Sequence, residues 1–326
     1  MKLYGPLQLC CSFLGITVCE RKRHFKHKIN YLICALHRTF YKDCLSGLKM
    51  SEDKRYFESD DHVKLYISAR PTLPTAVITT VKKYLMEKRS CLGDPTFVVD
   101  VACGSGQSSV PLTAEFDSVL GTDISPGQIE QANLSSHPSN IRFQVGSAEI
   151  IPVEDGSVDA VFCCMALHWL NHDKFFAEVQ RVLKKNGVLA IVGYKDAGAE
   201  APLGVSQEIR DKFMAAQEQF LQDIYPFFDP AVELCLKEYK DIHPLPGFAD
   251  TAYITTGLTG ERKMPAQIQF ENMLTTSAYQ IFKNKDEANA LRVSEALKSR
   301  FLECFPSLET EAVFQHSTVL VLGRKS

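Results

Sequence analysis

Between residues 97 and 192 the chain alternates short apolar, β-branched runs with stretches whose apolar residues recur at helical spacing. Residues 97–101, 119–122, 141–145, 158–163 and 187–192 read as strands, because they are short, nearly continuous apolar runs bounded by turn residues. Ahead of them Leu73, Val77, Val81 and Leu85 share one helical face, with Pro74 suited to its first turn. Ser125-Pro126-Gly127-Gln128 is a capping box with proline at the first helical position. A helix beginning at Asp173 carries Phe176, Val179 and Leu183 on one face, and Asn186-Gly187 is expected to end it. Single helices between strands predict a parallel, doubly wound α/β sheet with its ligand at the carboxyl ends of the strands. After Ala197 the alternation stops. Residues 205–225, 231–239, 267–282 and 286–305 read as helices, and 312–322 as a closing strand.

The most informative stretch is Val98–Ser109, where Asp100 ends a strand and Gly104 and Gly106 form a tight loop before a helix. Glycine lets the backbone turn sharply and lie against a ligand. Asp123 follows at the end of the next strand, placed to accept ribose hydroxyls. The register departs from that of a dinucleotide loop: Ser109 stands where a third glycine is expected, and Asp100 lies just upstream. A carboxylate there repels a diphosphate and suits a cofactor bearing an ammonium and a sulfonium, as S-adenosylmethionine does. A nicotinamide oxidoreductase is disfavoured on the same residues.

The runs Asp100-Val-Ala-Cys-Gly104-Ser-Gly106-Gln107, Gly121-Thr-Asp123-Ile-Ser-Pro and Gly146-Ser-Ala-Glu149 resemble those of class I S-adenosylmethionine-dependent methyltransferases. Within that superfamily the chain is similar to the type 11 branch, which includes trans-aconitate methyltransferase-like proteins. The resemblance spans residues 56–326 and implies a Rossmann-like, mostly parallel sheet with an antiparallel last strand and a helical insertion over the active site. It implies S-adenosylmethionine as cofactor, in contact with Arg70, Asp100, Ala102, Gly104, Ser105, Gly106, Asp123, Ile124, Ser147, Ala148, Glu149 and Met165. Arg70 lies in a Tyr…Arg-Pro element of the kind that covers the cofactor, where by that resemblance it pairs with the methionine carboxylate; a surface ion pair is the alternative. Ala102 stands where many relatives have glycine, and Ser147 where many have an acid. His168 is the candidate base or acceptor-orienting residue, Trp169 the candidate wall of the methyl pocket, and Tyr279 a candidate substrate contact. Their bland readings are a hydrogen-bonded structural histidine and aromatic core residues. The acceptor expected from the resemblance is a small molecule, a small organic acid first; a non-catalytic cofactor-binding or scaffold protein is the alternative.

Composition narrows this little. The chain has 326 residues, 45% hydrophobic and 23% charged, with net charge -3, which argues neither for nucleic acid nor for an anionic membrane as partner. Its 11 cysteines include no C-x-x-C, so no metal site is expected, and reduced thiols in a cytoplasmic protein are the simplest reading. The first 49 residues differ, with Cys10, Cys11, Cys19, Cys34 and Cys44, the basic run Arg21-Lys22-Arg23-His24, and few acids. They are read as a poorly ordered, dispensable extension ahead of a catalytic domain at 50–326, with core 95–194, helical insertion and cap 195–310, and last strand 311–323. A mitochondrial presequence is the alternative for that extension. Monomer and homodimer are both open.

Overall fold

The computed structural model describes residues 69–89 and 93–326. The extension, the boundary at Met50, Tyr56-Phe57 and Tyr66 of the Tyr…Arg-Pro element lie outside the described residues. Five strands, β1 (Phe97–Val101), β2 (Ser118–Asp123), β3 (Ile141–Val145), β4 (Val158–Cys164) and β5 (Leu183–Tyr194), pair in parallel in the order β3-β2-β1-β4-β5. The crossover elements are α1 (Thr75–Met86), which leads into β1, α2 (Ser109–Leu112), α3 (Pro126–Leu134) and α4 (His172–Val182). Successive strand residues face opposite sides, and the core divides accordingly. Val99, Val161 and Leu189 pack with Phe175, Val179 and Val182 of α4 on one side. Val98, Ala160 and Val188 pack with Val77, Val81 and Leu85 of α1 on the other. Because both faces are covered, the strands carry apolar residues throughout.

α4 stops at Val182, and Leu183 already belongs to β5. Asn186-Gly187 is therefore not a helix cap. Asn186 has φ 64°, and the β4–β5 register shifts between the Val158↔Leu183 and Ala160↔Val188 pairs. The dipeptide makes an irregularity inside the strand, for the same reason it suits a helix end: it tolerates the left-handed backbone.

Beyond β5 the chain is less helical than its sequence suggests. β6 (Ala201–Leu203) is followed by α5 (Gln207–Ile224) and α6 (Glu233–Leu236), then by β7 (Ala249–Ile254) and β8 (Thr259–Pro265), then by α7 (Ala266–Leu274), α8 (Ser277–Lys285) and α9 (Glu287–Leu302). The helix expected at 231–239 shrinks to α6 and a 3-10 turn, since Glu238 and Tyr239 both take φ 57°. That expected at 267–282 breaks at Thr275-Thr276. The last strand, β9 (Glu311–Arg324), is antiparallel to its neighbours. Its second half pairs with β5 and β7, and its first half with β6 and β8. A third core cluster, with Phe213, Phe220, Phe301 and Phe314, holds the cap helices. Among the described residues no helix is long and apolar enough to cross a membrane.

Candidate cofactor and acceptor site

Asp100, fully buried at the end of β1, accepts hydrogen bonds on Oδ2 from the hydroxyls of Ser108 and Ser109, both at 2.6 Å. Its Oδ1 is buried and finds no hydrogen-bond partner among the described residues. Burial pushes this carboxyl up to about 6, the neighbouring Asp123 adds to the rise, and the two hydroxyls oppose it. A buried carboxylate oxygen without a donor is costly. It fits a group that brings N–H and positive charge.

The loop after β1 is held to β2 by backbone: Cys103 N–H donates to Thr122 O at 3.0 Å, and Gly104 N–H donates to Asp123 Oδ2 at 2.8 Å. Asp123 Oδ1 accepts from Ser125 N–H at 2.8 Å. One carboxylate thus joins two loops, while each oxygen keeps acceptor capacity for a further donor. Its pKa is raised by burial against the pull of these N–H groups. Ser125 caps α3, accepting from Gln128 N–H at 3.4 Å. Ile124, next in the chain, is 73% exposed, an apolar surface open to a flat ring. Ala102, Gly104 and Gly106 have φ of 51°, 56° and 95°.

Phe143 of β3 explains two glycines. A Cβ on Gly106 would lie 2.7 Å from its Cζ, and one on Gly121 would lie 2.5 Å from its Cδ1. Gly121→Ala is expected to destabilise the fold by about 2 kcal/mol through overpacking, measured by urea unfolding, and Phe143→Leu in the same chain should recover part of the loss.

The remaining candidates divide. Ser105 Oγ donates to Gln107 Oε1 within the loop. Ser147 Oγ accepts from Glu149 N–H at 3.1 Å, and Ala148 is buried. Glu149 accepts from Asn171 N–H at 2.8 Å, tying the loop after β3 to the start of α4. Met165, with φ 54°, turns its sulfur to accept from Tyr194 N–H at 2.9 Å. His168 Nδ1 lies 2.9 Å from the Tyr239 hydroxyl, and its ring lies 4.7 Å from that of Trp169. Desolvation lowers the His168 pKa to about 4, against Asp229 and reinforced by His172. Trp169 packs on the core cluster beside α4.

One expectation changes, and Arg70 is placed by its neighbours. Tyr279 is buried with its ring 5.7 Å from Phe220, inside the third core cluster. Its helical spacing marks the core of the cap. Arg70 sits between two pinned neighbours, since Arg262 donates to Ala69 O at 2.8 Å and the Tyr194 hydroxyl to Pro71 O at 3.4 Å. It lies in the field of Glu200, which Arg262 holds through Nη2 at 2.6 Å. That places it against the cap and the end of β5. The Ser108 clamp, Phe143 and Tyr239 went unmarked in the sequence; Ser109 was visible as the replacement for a third loop glycine. Among the described residues no group of His, Cys, Asp and Glu could hold a metal ion.

Residues 99–191 match the family described as Methyltransferase domain. The chain is 30% identical over 178 residues to a proposed methyltransferase of Dictyostelium discoideum, covering 52% of this chain and 64% of that protein. It is 37% identical over 102 residues to a malonyl-[acyl-carrier protein] O-methyltransferase of Hahella chejuensis, covering 30% of this chain and 36% of that protein. It therefore spans less than two thirds of the length of these relatives. The structure resembles that of a proposed type II methyltransferase from Anaeromyxobacter dehalogenans with a TM-score of 0.60 at 23% identity, covering 78% of this chain and 97% of that one. This likeness establishes the fold.

Proposed function

We propose that this chain, whose sheet has the class I methyltransferase fold and whose residues 99–191 carry the methyltransferase domain, transfers a methyl group from S-adenosylmethionine to a small-molecule acceptor. The observation that carries this reading is Asp100, a buried carboxylate with one oxygen awaiting a donor. In the proposed complex the ammonium takes up that oxygen, the glycine loop lies along the methionine part, Asp123 accepts the ribose hydroxyls, and Ile124 meets the adenine. When bound, the cofactor supplies an activated methyl group on a good leaving group. The protein's part is then to align the acceptor and exclude water.

His168 and Trp169, which follow β4, are proposed to line the acceptor side. A small organic acid is the acceptor we favour, on the resemblance to the trans-aconitate branch. The Hahella relative, named for O-methylation of a malonyl group, supports it. A carboxylate needs no base. Calorimetry with S-adenosylmethionine and S-adenosylhomocysteine, followed by a tritiated-methyl screen of metabolite extracts, tests the proposal. Uptake of both with label passing to an acid supports it; uptake without transfer to any metabolite favours the non-catalytic binding protein, and no uptake removes the reading altogether.

A further inference from the structure

Tyr239 is held at some cost. Tyr239 is fully buried, and both it and Glu238 take the left-handed backbone, a conformation that costs a residue with a Cβ. Tyr253 donates to Glu238 O at 3.1 Å and so steadies the turn. In β5, Gly193 clears the space for the ring: a Cβ there would lie 2.7 Å from Tyr239 Cε2. A strained turn and a glycine cleared for one ring converge on a single placement, that of a hydroxyl 2.9 Å from His168 Nδ1. Observed strain of this kind points to function.

The surroundings of the hydroxyl decide which way its proton points. Cys163, Cys164 and Cys235 lie within electrostatic reach of it, Cys235 within hydrogen-bond reach, and burial keeps all three thiols protonated. A thiol is a weak acceptor, whereas an unprotonated imidazole nitrogen is a strong one. The phenol proton therefore goes to Nδ1. The ring must then carry its own proton on Nε2.

We propose that Tyr239 is a positioning residue that fixes His168 as the Nε2–H tautomer, so that His168 offers the methyl acceptor a hydrogen-bond donor and not a base. This rests on the function proposed above for its consequence: the site suits an acceptor whose nucleophilic atom has no proton to lose, such as a carboxylate oxygen. Asp229 and His172 also act on the ring. The negative charge of Asp229 favours ring N–H groups over bare nitrogens.

The test is the tautomer itself, read by long-range proton–nitrogen correlation on the full chain labelled with nitrogen-15 in histidine, with His168→Gln identifying the signal. The expected result in wild type, with and without S-adenosylhomocysteine, is an unprotonated Nδ1 and a protonated Nε2. Tyr239→Phe should lower the ratio of the two tautomers at least tenfold while leaving affinity for S-adenosylhomocysteine within twofold. An Nδ1–H tautomer in wild type, or an unchanged ratio in Tyr239→Phe, overturns the assignment. If that variant does not fold, the wild-type tautomer decides alone. Failure of wild type to bind S-adenosylhomocysteine counts against the proposed function and leaves the tautomer assignment standing, since it is also read in the ligand-free protein.

Discussion

Asp100→Asn is expected to stabilise the ligand-free protein at pH 8 while removing most of its cofactor affinity. The carboxyl sits at about 6 in the folded chain against an ordinary 3.8, so the folded state favours the protonated form. The stabilisation from this group is complete below about pH 4 and is lost as pH rises through about 6. Above that the ionised carboxylate costs up to roughly 3 kcal/mol, at 1.36 kcal/mol per unit. An amide keeps the acceptor that Ser108 and Ser109 use, and cannot ionise. Its NH₂ then needs a partner at the position of Oδ1, so the net gain should be about 1–2 kcal/mol at pH 8, vanishing near pH 4. Binding should move the other way. Without the charge the ammonium loses its partner, and the affinity for S-adenosylmethionine should fall by about 10–100-fold. In wild type, affinity should rise about fivefold between pH 5 and 6, approach tenfold per unit only below about pH 5, and level off above 7, because the ligand needs the ionised form of a carboxyl that sits at about 6. Urea unfolding and calorimetry across pH check both halves. Wild-type affinity in Asp100→Asn would refute the assignment.

Removing the second carboxylate should look different, because stability and affinity fall together. Asp123 bonds Gly104 N–H and Ser125 N–H at 2.8 Å each, so Asp123→Ala loosens both loops and takes away the ribose acceptor. A loss of about 1–3 kcal/mol in cofactor affinity is expected, with a further loss of about 1–2 kcal/mol in unfolding free energy for two stranded N–H groups. Ser125→Ala is the control: it removes the helix cap, costs about 1 kcal/mol of stability, and spares affinity. Equal cofactor affinity in Asp123→Ala and wild type would remove Asp123 from the binding site.

The parallel core was legible because its signal is local. Strands buried on both faces are apolar runs between turn residues, so β1 to β4 emerge within about a residue of their observed ends. Ser125 and Pro126 likewise announce the start of α3 by their own chemistry. The edge of the sheet gives no such signal. In β8, Thr-Gly-Glu-Arg-Lys-Met-Pro has one buried residue, Met264, and is a strand because its backbone pairs with β9. The register of β7 against β9 is equally a long-range fact. Asn186-Gly187 misled for a related reason: the dipeptide specifies a left-handed turn without saying which element contains it. At the site, the two acids and the glycines could be read from spacing, whereas the partnership of His168 with Tyr239 joins positions 71 residues apart. Nor does any local pattern show that Phe143 needs Gly106 and Gly121 to stay bare.

The double engagement of β9 bears on how the chain reaches this state during synthesis. Every strand it joins, β5, β6, β7 and β8, precedes it in the sequence, so each leaves the ribosome with an open edge of unpaired amides and carbonyls. Such edges recruit foreign strands, and the wait is set by translation, at about 5–20 residues per second. A nascent chain paused before Glu311 would hold the β9-facing edges of all four strands unpaired at once.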